Sequence, residues 1–260
     1  MTDPMLGNFL ILFFTAIAAG SLAYFIPNWQ QRYFKLVLVF AGSYLFAITV
    51  LHILPELFVG TDDATNMGLY ILLGFLLQQV LELFSSGVEH GHIHHGGHHH
   101  HGLQSGVFTL MIGLFLHAFL EGTLLSQDGI LSDHLHGHEG HSHSHGSNNL
   151  LFGILLHKGP EAFALVAVLV GSLKKRWVFV LLVVFALASP LGMLLSSLLY
   201  EQNFIGGGAL RVIYGMVAGG FLHISTTIFF ESSPDHRFHL NKVLISVFAF
   251  ALAISFEMIF

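Results

Sequence analysis

Apolar residues along this chain fall in long blocks rather than in amphipathic stripes, and short polar breaks separate the blocks. A helix needs about 20 apolar residues to cross a hydrocarbon core. Blocks near 6–26, 34–59, 68–86, 105–127, 149–171, 177–199, 205–230 and 240–260 approach or exceed that length. Turn-forming and charged residues mark the breaks: Pro27-Asn28-Trp29-Gln30-Gln31-Arg32 after the first block, Thr61-Asp62-Asp63 after the second, and Lys174-Lys175-Arg176 after the fifth. Glu231 to Arg237 separates the last two. The pattern predicts an all-α, polytopic membrane protein with eight transmembrane helices, in a single transmembrane domain over 1–260 without a soluble appendage. The first block follows an acidic leader, Asp3, with no Lys or Arg, so it reads as an uncleaved helix rather than a signal peptide.

The distribution of positive charge gives these spans a direction. Arg32 and Lys35 follow the first span, Lys174, Lys175 and Arg176 the fifth, and Arg237 and Lys242 the seventh, so with an even number of spans all three loops share one side. The positive-inside rule puts that side in the cytoplasm and both termini outside it. Composition agrees with a lipid environment: 54% of residues are hydrophobic and 9% charged, against about 25% charged in a soluble domain, and mean hydropathy is +0.73. The formal charge of −6 lies in no run that would suit nucleic acid. There is no cysteine, so disulfides and thiolate metal sites are excluded.

Two connections are rich in histidine. The first, 87–103, carries His90, His92, His94, His95, His98, His99, His100 and His101 and is expected in the cytoplasm. The second, 128–148, carries His134, His136, His138, His141, His143 and His145 and is expected outside. Clustered neutral imidazoles bind zinc, nickel, cobalt or copper loosely. The tracts are interior, unlike a purification tag, so metal capture or sensing is the expectation.

The most informative residues lie within the spans, where an ionisable side chain costs about 2.5–3.5 kcal/mol on insertion scales and is a functional candidate by default. The second span contains His52-Ile53-Leu54-Pro55-Glu56, the fourth His117-Ala118-Phe119-Leu120-Glu121-Gly122, and the fifth His157-Lys158-Gly159-Pro160-Glu161-Ala162. In each, His and Glu stand four apart and share one helical face. A single such pair reads equally well as a self-satisfied hydrogen bond in a bundle core; three pairs of one spacing point to metal. Two imidazoles and two carboxylates make a shell suited to zinc, and two Glu balance one divalent cation. Fe(II), Mn(II), Co(II) and Cd(II) compete for such ligands, whereas copper(I) prefers sulfur. Pro160 removes a helix hydrogen bond near Leu156, and with Gly159 it predicts a local break of the kind transporters use at mid-depth. His52 and Glu56, toward the outer end, and His223 and Glu231, toward the inner end of the seventh span, outline an entry and an exit. Gln78, Gln79, Glu82, Ser189 and Glu257 receive no role.

The eight spans, the His-rich loop after the third, and the motifs His117-x-x-x-Glu121-Gly122 and His157-Lys158-Gly159-Pro160-Glu161 together resemble the ZIP family of zinc and iron transporters over essentially the whole chain. The second-span segment His52 to Glu56 is similar to a proline-containing segment of many members. The resemblance implies zinc uptake into the cytoplasm, a metal held between the fourth and fifth spans by His117, Glu121, His157 and Glu161, and an inverted repeat relating the first and last three spans. Some members hold two metals side by side; here Ala118 and Lys158 stand where further ligands would be, and an ammonium there repels a second cation. One central metal is therefore expected.

The leading expectation is metal import by alternating access, with the divalent ion as substrate and the lipid bilayer as environment, most naturally the plasma membrane. A homodimer is compatible, though no small-residue stripe decides it. The alternatives are an exporter and an intramembrane zinc-dependent hydrolase. The latter lacks a His-Glu-x-x-His motif, since His138-Glu139-Gly140-His141 is one residue short and falls in a loop.

Overall fold

Within hydrocarbon, a backbone can satisfy its own N–H and C=O groups only as a helix or a closed barrel, and the apolar blocks of this chain take the first solution. The computed structural model describes residues 3–25, 31–59, 63–85, 103–125, 145–170, 173–202, 204, 206–231 and 240–259. Its elements are α1 (Asp3–Leu22), α2 (Gln31–Ile48), a π-helical turn (Thr49–Ile53), α3 (Leu54–Phe58), α4 (Ala64–Ser85), α5 (Leu103–Leu124), α6 (His145–Val170), α7 (Lys175–Glu201), α8 (Gly207–Glu231) and α9 (Leu240–Ile259). No strand occurs among the described residues. With α2, the π turn and α3 joined as one, these make eight helices long and apolar enough to cross a membrane. The outward side chains agree: on α4, Leu69, Leu72, Leu73, Leu76, Val80 and Leu83 are all exposed, a continuous apolar stripe that belongs against lipid rather than water.

Two local departures from the sequence reading have physical causes. Helix α4 begins at Ala64, four residues ahead of the expected 68, because Asp63 caps it: Asp63 Oδ1 accepts the Asn66 N–H at 3.0 Å. The expected break at Gly159-Pro160 is not found, and α6 runs through Pro160 without interruption. A membrane helix tolerates the one missing bond because the remaining turns and packed neighbours hold it. The irregularity lies instead in the second span. Pro55 has no N–H for the carbonyl one turn back, and just before it the Leu54 N–H bonds Thr49 O, an i→i+5 closure that places His52 in a π turn.

The interior is built as two apolar layers along the helices. One gathers Leu114 and Ala118 of α5, Ala162 to Val166 of α6, Leu182 and Phe185 of α7 and Ile228 of α8. The other gathers Leu124 of α5, Leu150 and Ile154 of α6, Tyr44 and Ile48 of α2, and Tyr214 and Phe221 of α8. On both α5 and α6 the switch from one layer to the other falls at the His/Glu motif, so the polar residues lie between two dry layers.

Glycine lets the flanking helices close on that level. A Cβ on Gly122 would stand 2.0 Å from Ser189 O, and one on Gly192 would stand 2.0 Å from Phe119 O. Helices α5 and α7 are thus in backbone contact on both sides, and Ser189 Oγ donates to Ala118 O at 2.8 Å. Gly74 and Gly219 join α4 and α8 in the same manner, against Met216 O and Ile71 O. Gly122→Ala should therefore force α5 and α7 apart, at about 1–3 kcal/mol of overpacking. A lowered thermal midpoint in detergent checks this; an unchanged midpoint would contradict the contact.

Candidate metal site

The i, i+4 spacing turns His117 and Glu121 of α5 inward, and His157 and Glu161 of α6 meet them. One ligand atom each from His117, Glu121 and His157 lie within 4.8 Å of one another, and all three residues are buried. The two imidazoles stand edge to face, with ring centroids 5.8 Å apart. Glu161, fully buried, brings Oε1 to 4.0 Å from His117 Nε2. The four residues read from the sequence are thus gathered at one level, three in a tight group and the fourth at its edge.

Lys158 is part of the same cluster. Its Nζ lies 3.5 Å from Glu121 Oε2, to which it donates, and 3.5 Å from Glu161 Oε2 as an ion-pair contact. The ammonium also stands 4.1 Å from the centre of the Phe185 ring, a cation–π position. Ala118 is buried in the apolar layer beside the motif and offers no ligand. The other carboxylate oxygens, Glu121 Oε1 and Glu161 Oε1, accept no hydrogen bond among the described residues. Buried acceptors of this kind are costly unless a cation or donor reaches them, and Glu161 Oε1 is the oxygen that approaches His117 Nε2.

Gln78 of α4 was without a role in the sequence reading, and the structure supplies one. His117 Nδ1 hydrogen-bonds Gln78 Oε1 at 3.1 Å. An amide oxygen is only an acceptor, so it takes the Nδ1–H and leaves Nε2 as the basic nitrogen turned toward Glu161. Gln78, His117 and Glu121 also line a small cavity with Gly74, Gly220 and Phe221. Loss of an outer partner of a metal-bound imidazole costs roughly 10- to 100-fold in affinity. Gln78→Leu should accordingly weaken zinc binding by about tenfold while the helices remain folded, as titration of purified protein would show.

The outlying candidates have partners that sequence did not indicate. His52 Nε2 is 3.7 Å from Glu56 Oε2, and His52 Nδ1 is 3.1 Å from Glu257 Oε1 of α9. Tyr214 OH donates to Glu56 Oε2 at 3.0 Å. His223 Nε2 pairs with Glu82 Oε2 of α4 at 2.7 Å, and its ring packs edge-on to Phe75. Glu231 ends α8, and its side chain lies outside the described residues, as do the side chains of the histidine tracts, including His98, His99, His100, His101, His138, His141, His143 and His145. The signals that could have found the missed residues were weak: Gln78, Glu82 and Glu257 are intramembrane polar groups, conspicuous in type but silent about their partners.

Comparison with known proteins adds to this geometry. The chain is similar to zinc transporter ZIP1 of Danio rerio, with 30% identity over 158 residues, or 60% of this chain and 46% of that protein. It is also similar to protein zntD of Dictyostelium discoideum, with 26% identity over 152 residues, or 57% of this chain and 20% of that protein. The chain thus spans less than half the length of either curated relative in the matched region. No family model matches.

Proposed function

We propose that this chain, which is similar to zinc transporter ZIP1 over part of its length, belongs to the ZIP family and moves zinc across a bilayer through the His117, Glu121, His157 and Glu161 cluster. The observation that carries the reading is the meeting of His117, Glu121 and His157 atoms within 4.8 Å inside a membrane bundle. Nitrogen and carboxylate oxygen are the donors that zinc takes in tetrahedral sites, at about 2.0–2.2 Å, and small side-chain shifts bring this group to that shell. Fe(II), Mn(II), Co(II) and Cd(II) share the donor preference and compete as substrates.

The chemistry of the cluster supports transport by exchange. When both carboxylates are ionised, two against one ammonium leave an excess of one negative charge between two apolar layers, which draws a cation in. Lys158 keeps that attraction from becoming a trap, and it occupies the ground a second metal would need, so the site holds one metal. The positive-inside rule supports a topology with both termini outside the cytoplasm, in which metal enters past His52 and Glu56 and leaves toward His223 and Glu231 by alternating access. The helix pairings support the inverted repeat that the family resemblance implies. Exchanging α1 with α7, α2 with α8, α4 with α9 and α5 with α6 turns the α4–α8 packing into α9–α2 and the α5–α7 packing into α6–α1.

The hydrolase alternative finds no support. The Danio rerio relative is named as a transporter, and both buried glutamates, the candidate general bases, lie 3.5 Å from the Lys158 ammonium. The chain is read as a transporter and not an enzyme. Protein reconstituted in vesicles loaded with a zinc-responsive dye tests the reading: saturable zinc influx is expected, reduced by competing Cd(II) or Fe(II). Tight zinc binding without flux would overturn it.

A further inference from the structure

We infer that Glu257, on the last span, is a positioning residue that sets His52 to work with Glu56 as a first, weak metal-staging pair; the inference rests on the transport reading above. His52 sits in the π turn, Glu56 one turn on in α3, Glu257 near the end of α9 and Tyr214 on α8, so three separate spans build the group.

The distances suit a metal between the two side chains. His52 Nδ1 lies 3.1 Å from Glu257 Oε1, within hydrogen-bond reach. An ionised carboxylate is only an acceptor, so Glu257 takes the Nδ1–H, and in the neutral imidazole that a metal requires Nε2 keeps its lone pair. That nitrogen faces Glu56 Oε2 across 3.7 Å, too far for a hydrogen bond. Two acceptors then oppose each other, an arrangement that a cation between them relieves. A tetrahedral zinc holds its nitrogen and oxygen ligands ~3.3 Å apart, as follows from bond lengths of ~2.0–2.1 Å, so a shift of under half an ångström closes the gap. Tyr214 OH donates to the same Oε2 at 3.0 Å and fixes the carboxylate. The carboxylate–imidazole–metal arrangement raises ligand basicity and fixes the ring. With only two protein ligands the pair binds weakly, as a station on a route must if the ion is to move on.

The test measures zinc influx into vesicles over a range of zinc concentrations, using the full chain. Glu257→Gln should raise KM by about tenfold, the lower end of the effect of losing an outer partner, with Vmax near wild type. Tyr214→Phe should shift KM in the same direction by less, and Glu257→Asp should recover part of the loss. An unchanged KM in Glu257→Gln, or a fall in Vmax alone, overturns the inference while leaving the transport reading intact. Absence of zinc flux in wild type overturns the transport reading and this inference with it. Should Glu257→Gln fail to fold, Tyr214→Phe and Glu257→Asp read the same separation of KM from Vmax.

Discussion

Replacing Glu161 or His117 by alanine is expected to abolish zinc influx in reconstituted vesicles. Each substitution removes a donor from a set of four, and Glu161→Ala also removes one of the two carboxylates that hold Lys158, whose Nζ lies 3.5 Å from each. Losing even an outer partner costs roughly 10- to 100-fold in metal affinity, so loss of a ligand should take flux below detection at micromolar zinc. Glu201→Gln, at an exposed helix end, serves as the control and should transport as wild type does. Influx that survives both alanine substitutions would mean that the buried pairs are structural and that the ion crosses elsewhere.

Lys158 carries the second large effect, and its sign separates two roles. The ammonium is buried between Glu121 and Glu161, so an arriving divalent ion must displace it or bind against its charge. Unit charges about 4 Å apart interact by up to ~4 kcal/mol at an effective dielectric constant near 20, and ~1.4 kcal/mol is already tenfold in affinity. Lys158→Met keeps an apolar stem against Phe185 and removes the charge. It should lower the apparent KM for zinc by tenfold or more and lower Vmax, because release becomes slow. In the absence of metal the variant leaves two buried carboxylates uncompensated, so zinc should raise its thermal midpoint more than it raises that of wild type. A variant that loses zinc binding would show instead that the ammonium holds the carboxylates in place for the metal.

The eight spans were legible because lipid imposes one rule on every residue that faces it, and the apolar blocks obey it locally. The central cluster was legible for a related reason. His117 and Glu121, like His157 and Glu161, reveal a shared face by spacing alone, and a charged residue inside a span is conspicuous. What spacing does not carry is who faces whom across helices. Gln78 is 39 positions from His117 and Glu257 is 205 from His52, so neither partnership leaves a local trace. His223 shows the same limit: sequence placed it on an exit route with Glu231, while the structure pairs it with Glu82.

The two prolines teach a complementary lesson. Pro160 and Pro55 each lack an N–H, yet α6 passes through the first as a regular helix while the second follows a π turn. Composition identifies where a bond is missing, but packing decides how the chain accommodates it. At Gly122 the motif's final residue has a reason invisible in sequence, since it is the Ser189 carbonyl of α7 that leaves no room for a Cβ.

The central claim is that the transported ion is held by His117, Glu121, His157 and Glu161, and anomalous scattering at the zinc edge from zinc-soaked crystals tests it most directly. One strong peak is expected in the bundle interior, about 2.0–2.2 Å from imidazole nitrogens of His117 and His157 and carboxylate oxygens of the two glutamates, with Lys158 Nζ drawn away from it. Zinc found only at the histidine tracts or the outer pair, with Lys158 still seated between the carboxylates, would contradict it.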